Sequence, residues 1–384
     1  MSSSRSFHNV GSAAAVPGQE NRTLPPILGK LGVRLNEYYM SLIDWKDPAD
    51  PLRRLIVPST GQLKFCGGSD GSCDDAGYDA PGCRHIYRNT ALLRMPDAVR
   101  VRELRGEPAD ALSEIAAGID YIARRKEIDN VALAGGDGLA IGSAALRDVL
   151  ERLCRIDHVR VIRIHSKLPL FNPKRISENE ALLQLIGEFS KPERRIFVMA
   201  TVHHPREVTP EASRAFQALR EAHAIVMGHV PILRGVNDSS GTLRSLLDRL
   251  AGAGVAPDGF YIYPPDRDNR FSLPLGRVYE LVEGAKASTS VPGKSVKLAM
   301  NHPSGKIEIL AVENRKAYLK YHQSKHYPYG KFMMLECPPS AVWFDDLPGS
   351  ERYWPVPEAA APGKRFDDSP GDAARRQANH IIAD

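Results

Sequence analysis

The sequence predicts an α/β protein built as a partial or full (β/α) barrel, and three observations lead there. Short apolar runs bounded by Gly, Pro or Asp begin at Thr90, Asn130, Val159, Arg195, Ala224 and Asp258; runs of this kind read as buried strands. Amphipathic stretches near 108–126, 143–155, 179–190, 209–222 and 240–253 separate them, so strand and helix alternate at the length of a βα unit. The strand ends carry polar side chains at Asp137, His165, His203, His204, His229 and Asp266. Polar groups gathered from the C-terminal ends of many strands are a barrel feature. No Gly-rich dinucleotide fingerprint follows the first strand, which argues against a doubly wound sheet.

The elements are justified in turn by their boundaries and surroundings. The fourth helix has a defined start: Thr209 as N-cap, Pro210 in the first helical position and Glu211 in the first turn,. Composition separates polar tails over 1–26 and 356–384 from a folded part between them, and within that part an N-terminal arm over 27–88, the barrel over 89–311 and a C-terminal extension over 312–355 are expected. Both tails are expected to be disordered. With 384 residues, 42% hydrophobic and 25% charged, the chain fits one large globular unit with extensions.

The bulk numbers also exclude classes of partner. The 51 basic and 46 acidic side chains are interspersed and leave a formal charge of +5, a solvated surface without a nucleic-acid footprint. No apolar run reaches the roughly 18–20 residues of a membrane span. Met1 to Gln19 has no continuous apolar core of a secretory signal,. Five scattered cysteines, Cys66, Cys73, Cys83, Cys154 and Cys337, argue for a reducing compartment, and a cytoplasmic location is expected.

Four segments could carry chemistry. Gly135-Gly136-Asp137 follows the second strand; paired glycines admit a ligand close to backbone, and the Asp can hold an amine or cap the next helix. His203-His204-Pro205-Arg206-Glu207 follows the fourth, but neighbours in a strand point to opposite faces, so metal binding by the two histidines is not expected. Arg234, in Leu233-Arg234-Gly235-Val236-Asn237-Asp238, could clamp a phosphate or carboxylate, or bridge the barrel rim. Lys306 enters an apolar run after Ser304-Gly305; a lysine partly withdrawn from water suits Schiff-base chemistry, and the alternative is an exposed lysine on an edge strand.

Taken in order, these segments resemble the lysine 2,3-aminomutase family of radical S-adenosylmethionine enzymes. The resemblance runs from Asp47-Pro48-Ala49-Asp50-Pro51-Leu52-Arg53-Arg54 through Pro81-Gly82-Cys83-Arg84-His85-Ile86-Tyr87 and the segments above to Ser304-Gly305-Lys306. It implies a barrel of the radical-SAM type and three cofactors: a [4Fe–4S] cluster on a C-x3-C-x2-C loop, S-adenosylmethionine and pyridoxal phosphate. By the same resemblance Lys306 matches the Schiff-base lysine, Gly135, Gly136 and Asp137 match the S-adenosylmethionine turn, and Asp266 falls where substrate is held. His165, His229, Arg234, Arg102 and Arg105 complete the expected cofactor-binding set. The expected partner is a small-molecule amino acid, and the expected assembly is a homo-oligomer.

Three departures bear on the chemistry. Val99, Glu103 and Gly106 stand at the three cysteine positions, and a cluster of this kind is held by thiolates, so no [4Fe–4S] cluster is expected there. Met300 or Asn301 stands where the family has a second substrate-binding Asp. The family's zinc-binding cysteines are absent, with Cys337 alone in that zone. The expectation is a pyridoxal phosphate enzyme with the radical trigger lost. A non-catalytic relative that binds an amino acid or a partner protein, and an aminomutase with its cluster relocated to Cys66, Cys73 and Cys83, remain open.

Overall fold

The computed structural model describes residues 36–57, 78–95, 108–265, 270–289, 291–324, 326–327 and 329–353. Asp266, Arg102, Arg105, Val99, Glu103, Gly106, Cys66, Cys73 and both expected tails lie outside the described residues.

One sheet of 11 strands organises the chain, in the spatial order of the sequence. It comprises β1 (Cys83–Tyr87), β2 (Thr90–Arg94), β3 (Asn130–Ala134), β4 (Val161–Ser166), β5 (Arg195–Thr201), β6 (Ile225–Ile232), β7 (Ala256–Ile262), β8 (Leu298–His302), β9 (Gly305–Glu313), β10 (Lys316–Gln323) and β11 (Phe332–Glu336). Strands β2 to β8 run parallel, and β1 and β9 to β11 pair antiparallel at the two ends. The helices are α1 (Glu37–Ser41), α2 (Pro51–Ile56), α3 (Pro108–Ala123), α4 (Ser143–Cys154), α5 (Leu168–Phe171), α6 (Lys174–Ser177), α7 (Glu180–Phe189), α8 (Pro210–Glu221), α9 (Ser240–Gly252), α10 (Leu275–Ser288) and α11 (Val291–Lys294).

Alternation along the strands decides which face is core. In β4, Ile162 and Ile164 are fully buried while Arg163 and His165 face the other side, the period-2 pattern of a sheet with one apolar and one polar face. The apolar face meets helices whose apolar residues recur at helical spacing: Leu146, Val149, Leu150 and Leu153 in α4, and Leu243, Leu246, Leu247 and Leu250 in α9. Burying each such side chain contributes about 1.5–3 kcal/mol. Thr209 accepts from the Ala212 amide and Pro210 opens α8, as the sequence predicts.

The polar face is concave. Tyr87 of β1 lies close enough to Asp258 of β7 for that charge to act on it, although five strands separate them in the sheet. A flat sheet would not bring these ends together. The wall does not close, however: among the described residues β1 pairs only with β2, and β11 only with β10. The fold is therefore an open, partial barrel, and the full-barrel alternative is set aside. Closure at this size takes about eight tilted strands; here the chain reverses after β8 and continues as a hairpin extension.

Candidate functional site

Lys306 sits at the start of β9, at the mouth end of the wall. Gly305 before it has φ +151°, and a Cβ there would strike the Gln323 carbonyl oxygen, so the chain enters β9 this way only with glycine. Pairing with Asn301 and Gln323 fixes the register. Ile307 and Ile309 then point into the core while Lys306 and Glu308 face the concave side,.

There Lys306 Nζ donates to the Tyr261 hydroxyl at 2.7 Å. The Tyr261 hydroxyl donates in turn to the Asp258 carboxylate. Asp258 Oδ2 is 3.8 Å from His229 Nδ1. The His229 ring stacks on Tyr261 with centroids 3.9 Å apart, and His165 meets His229 edge-on at 6.1 Å. Two residues three apart should lie on opposite faces of a strand, yet Asp258 and Tyr261 share one. The β6–β7 ladder steps from Gly228↔Pro257 to His229↔Gly259, so Asp258 is the extra residue of a bulge that turns it inward.

Burial and charge set the protonation states of this cluster. Burial pushes the Lys306 ammonium pKa below its ordinary value; Arg163 and Lys297 act the same way, and Asp258 and Glu308 oppose. Burial would raise Asp258, but the nearby His229 ring, the Lys306 charge and the Tyr261 hydroxyl outweigh it, so the carboxyl is held well below the usual range. Tyr261 is raised by burial and by the adjacent Asp258 charge, and so keeps its proton. Burial, then the neighbouring His229 and Arg163, bring His165 down to about 3, and His229 is lowered chiefly by burial. At neutral pH the cluster holds one carboxylate, two neutral imidazoles, a neutral phenol and an amine eased toward its free-base form. A lysine amine in such a state is a nucleophile for carbonyl carbon.

The remaining expected site residues fall elsewhere. Asp137 accepts from Ser166 Oγ at 2.6 Å and from the amides of Leu139, Lys167 and Leu168 at 3.1, 2.8 and 3.2 Å. Its carboxylate thus pins the β3 and β4 ends together. It does not cap the next helix, whose N-cap is Gly142 without a side-chain bond. Gly135 and Gly136 lie beside it, and the Gly136 amide donates to Met95 O at 3.0 Å.

His203 and His204 belong to a dock for the N-terminal arm. Glu207, 2% exposed, accepts from the amides of His203 and His204 at 2.7 and 2.9 Å and from the Tyr39 hydroxyl at 2.6 Å. Arg206 Nη1 pairs with Asp50 at 2.5 Å and Arg206 also donates to Leu42 O. Arg234 lies beyond the end of β6, in a cavity away from this cluster's contacts. Cys83 is buried in the core. Among the described residues no group of three or more His, Cys, Asp or Glu could hold a metal ion, and no helix is long and apolar enough to cross a membrane.

Tyr261, Asp258, Arg163 and Tyr87 were not foreseen as site residues. Arg163 had a signal, its i,i+2 spacing to His165 in a strand,. Asp258 had none, because a bulge leaves no mark in periodicity.

Comparison with known proteins adds the following. No protein-family model matches the chain. It is 34% identical over 344 residues, 86% of this chain and 91% of the other, to a protein of Aquifex aeolicus (strain VF5) described as "Putative L-lysine 2,3-aminomutase". It is 29% identical over 286 residues to L-lysine 2,3-aminomutase of Clostridium subterminale, covering 71% of this chain and 67% of that one. The enzyme of Acetoanaerobium sticklandii shares 30% over the same span and coverage. Among solved structures, a radical SAM methyltransferase from Sphaerobacter thermophilus aligns at TM-score 0.34 and 15% identity over 55% of this chain and 65% of its own, too distant to carry an argument.

These relatives correct one expectation. Lysine 2,3-aminomutases use a [4Fe–4S] cluster and S-adenosylmethionine, which conflicts with the expectation of no cluster. That expectation rested on Val99, Glu103 and Gly106 as the aligned ligand positions, and those residues lie outside the described ones. An alignment of one loop does not outweigh similarity along most of the chain.

Proposed function

The chain belongs to the lysine 2,3-aminomutase family of radical S-adenosylmethionine enzymes, and we propose that it acts on an amino acid with pyridoxal phosphate held covalently by Lys306. The observation that carries this is the Lys306–Tyr261–Asp258 chain on the concave face. The residues present fit the cofactor: an amine withdrawn from water, facing an open wall, and a protonated phenol within hydrogen-bond reach of it.

Each group has a task in this reading. Lys306 supplies the amine that takes up the cofactor's aldehyde. Tyr261 presents its hydroxyl oxygen as the acceptor for Lys306 Nζ, and Asp258 holds that oxygen in place by accepting the Tyr261 proton. His165 and His229, held neutral, line the wall without adding positive charge. Arg163, fixed by donating from Nε to Asn130 Oδ1 at 3.0 Å, places a cation where a substrate carboxylate would be drawn. When bound, the cofactor supplies an electron sink and a carrier for the amino group.

The test is a titration of the purified protein with pyridoxal phosphate, read by visible absorbance. A saturable band is expected in the wild type and in Lys297→Ala, and its loss in Lys306→Ala. Wild-type protein that takes up no cofactor would refute the proposal.

A further inference from the structure

A second polar region lies between the N-terminal arm and the end of β6. There a cavity of about 300 Å³ is lined by Pro48, Arg53, Arg54 and Val57 from one side and Arg234, Arg270 and Phe271 from the other. Four arginines from three separate segments line it, and the described lining contains no carboxylate. Among the described residues no acid is paired with Arg53, Arg54 or Arg234. The contrast with Arg206 is informative: where the arm docks for structure alone, the arginine is matched to Asp50.

The cavity is also held in shape. The Arg234 amide donates to the Phe271 carbonyl at 2.9 Å. Asn237 fixes the turn after Arg234, accepting from the Leu233 amide at 2.7 Å and donating to His203 O at 2.8 Å. Gly235 has φ +71°, and a Cβ there would lie 2.6 Å from Arg54 Cζ, so glycine is what lets the Arg54 guanidinium lie against the turn. Arg270 donates to Val57 O at 3.1 Å and stands 4.3 Å from the Phe271 ring centroid. Arg53 Nη1 donates to Trp45 O at 3.3 Å. The Arg53 and Arg270 guanidiniums are held by these contacts, and the exposed Arg54 and Arg234 side chains stand beside them over an apolar floor; planar guanidinium forks match the geometry of phosphate oxygens, and the volume is at the lower end for small-ligand sites.

We propose that this cavity binds a small ligand through a phosphate or diphosphate group, with Arg54 and Arg234 as the principal clamps and Arg53 and Arg270 completing the field. The proposal does not depend on Lys306. Its test is calorimetry of the full chain with inorganic diphosphate at constant ionic strength. Saturable binding is expected, with affinity at least about tenfold weaker in Arg54→Gln/Arg234→Gln and unchanged in Lys306→Ala. Both arginines are exposed, so the variant is expected to melt with the wild type; Arg234→Gln alone serves as the milder check. No saturable binding, or equal affinity in the double variant, would overturn the site. Competition in Lys306→Ala protein separates the sources: displacement by pyridoxal phosphate but not pyridoxal identifies the cofactor's phosphate as occupant, and its absence identifies a separate phosphorylated ligand.

Discussion

The turn at His203–Glu207 and the wall at Asp258–Lys306 are built from similar materials and do different things. Both set a carboxylate beside histidine and tyrosine, buried at Glu207 and half-buried at Asp258. At the turn, Glu207 is saturated by two backbone amides and the Tyr39 hydroxyl of the arm. At the wall, the hydrogen bonds run in one direction, from the Lys306 amine through Tyr261 to Asp258, and the chain begins on a nucleophile facing the concave side. The lesson is that a run of chemically suggestive residues is read by where its hydrogen bonds end.

The sharpest break of this comparison is Glu207→Ala. It strips an acceptor from one buried and two half-buried donors and from the neighbouring His203, and should cost about 3–5 kcal/mol of unfolding free energy, measured by urea denaturation. Lys306→Ala should stay within about 1 kcal/mol of wild type, because it removes a cation whose burial is already costly. Equal losses would erase the distinction between dock and site.

A second prediction concerns pH. His165 has its folded pKa depressed to about 3 against about 6.5 unfolded. The unfolded chain therefore binds more protons between these values, so this contribution is fully present above about pH 6.5 and is lost as pH falls toward 3. His165→Asn should flatten the acid side of the stability profile by on the order of 2–4 kcal/mol. A profile that does not change would place His165 in water.

Smaller effects sharpen the picture. Asp137→Ala frees four donors, three of them from the β4 end, and should cost roughly 1–3 kcal/mol,, seen in the same denaturation series. Asp258→Asn removes the charge that supports the Lys306 ammonium. The pH midpoint for pyridoxal phosphate uptake should then move down; an upward move would contradict the placement of Asp258 beside the amine.

Much of the fold was legible because it is written in periodicity. The strands from Thr90 to Asp258 and the five helices between them follow from apolar runs and helical spacing, and boundaries shifted by only a few residues, as at Val161, Ile225 and Ala256. The antiparallel ends were less so. β1 and β8 to β11 are short or amphipathic pieces whose pairing is decided by neighbours, although the apolar run after Lys306 was visible. Of the site, Lys306, His165 and His229 could be marked from sequence. Asp258 depends on a bulge, and Tyr261 reads as one more core aromatic. The role of Glu207 depends on Tyr39, 168 residues away, a contact that local pattern does not encode. The cluster reading failed for a related reason: it set one aligned loop against the family resemblance of the whole chain.

The central claim is that Lys306 is the amine that takes up the cofactor. Borohydride reduction of the protein with pyridoxal phosphate, followed by proteolysis and mass mapping, tests it most directly. One reduced adduct is expected, on the peptide containing Lys306, and none in Lys306→Ala. A stoichiometric adduct on any other lysine, with Lys306 unmodified, would contradict it.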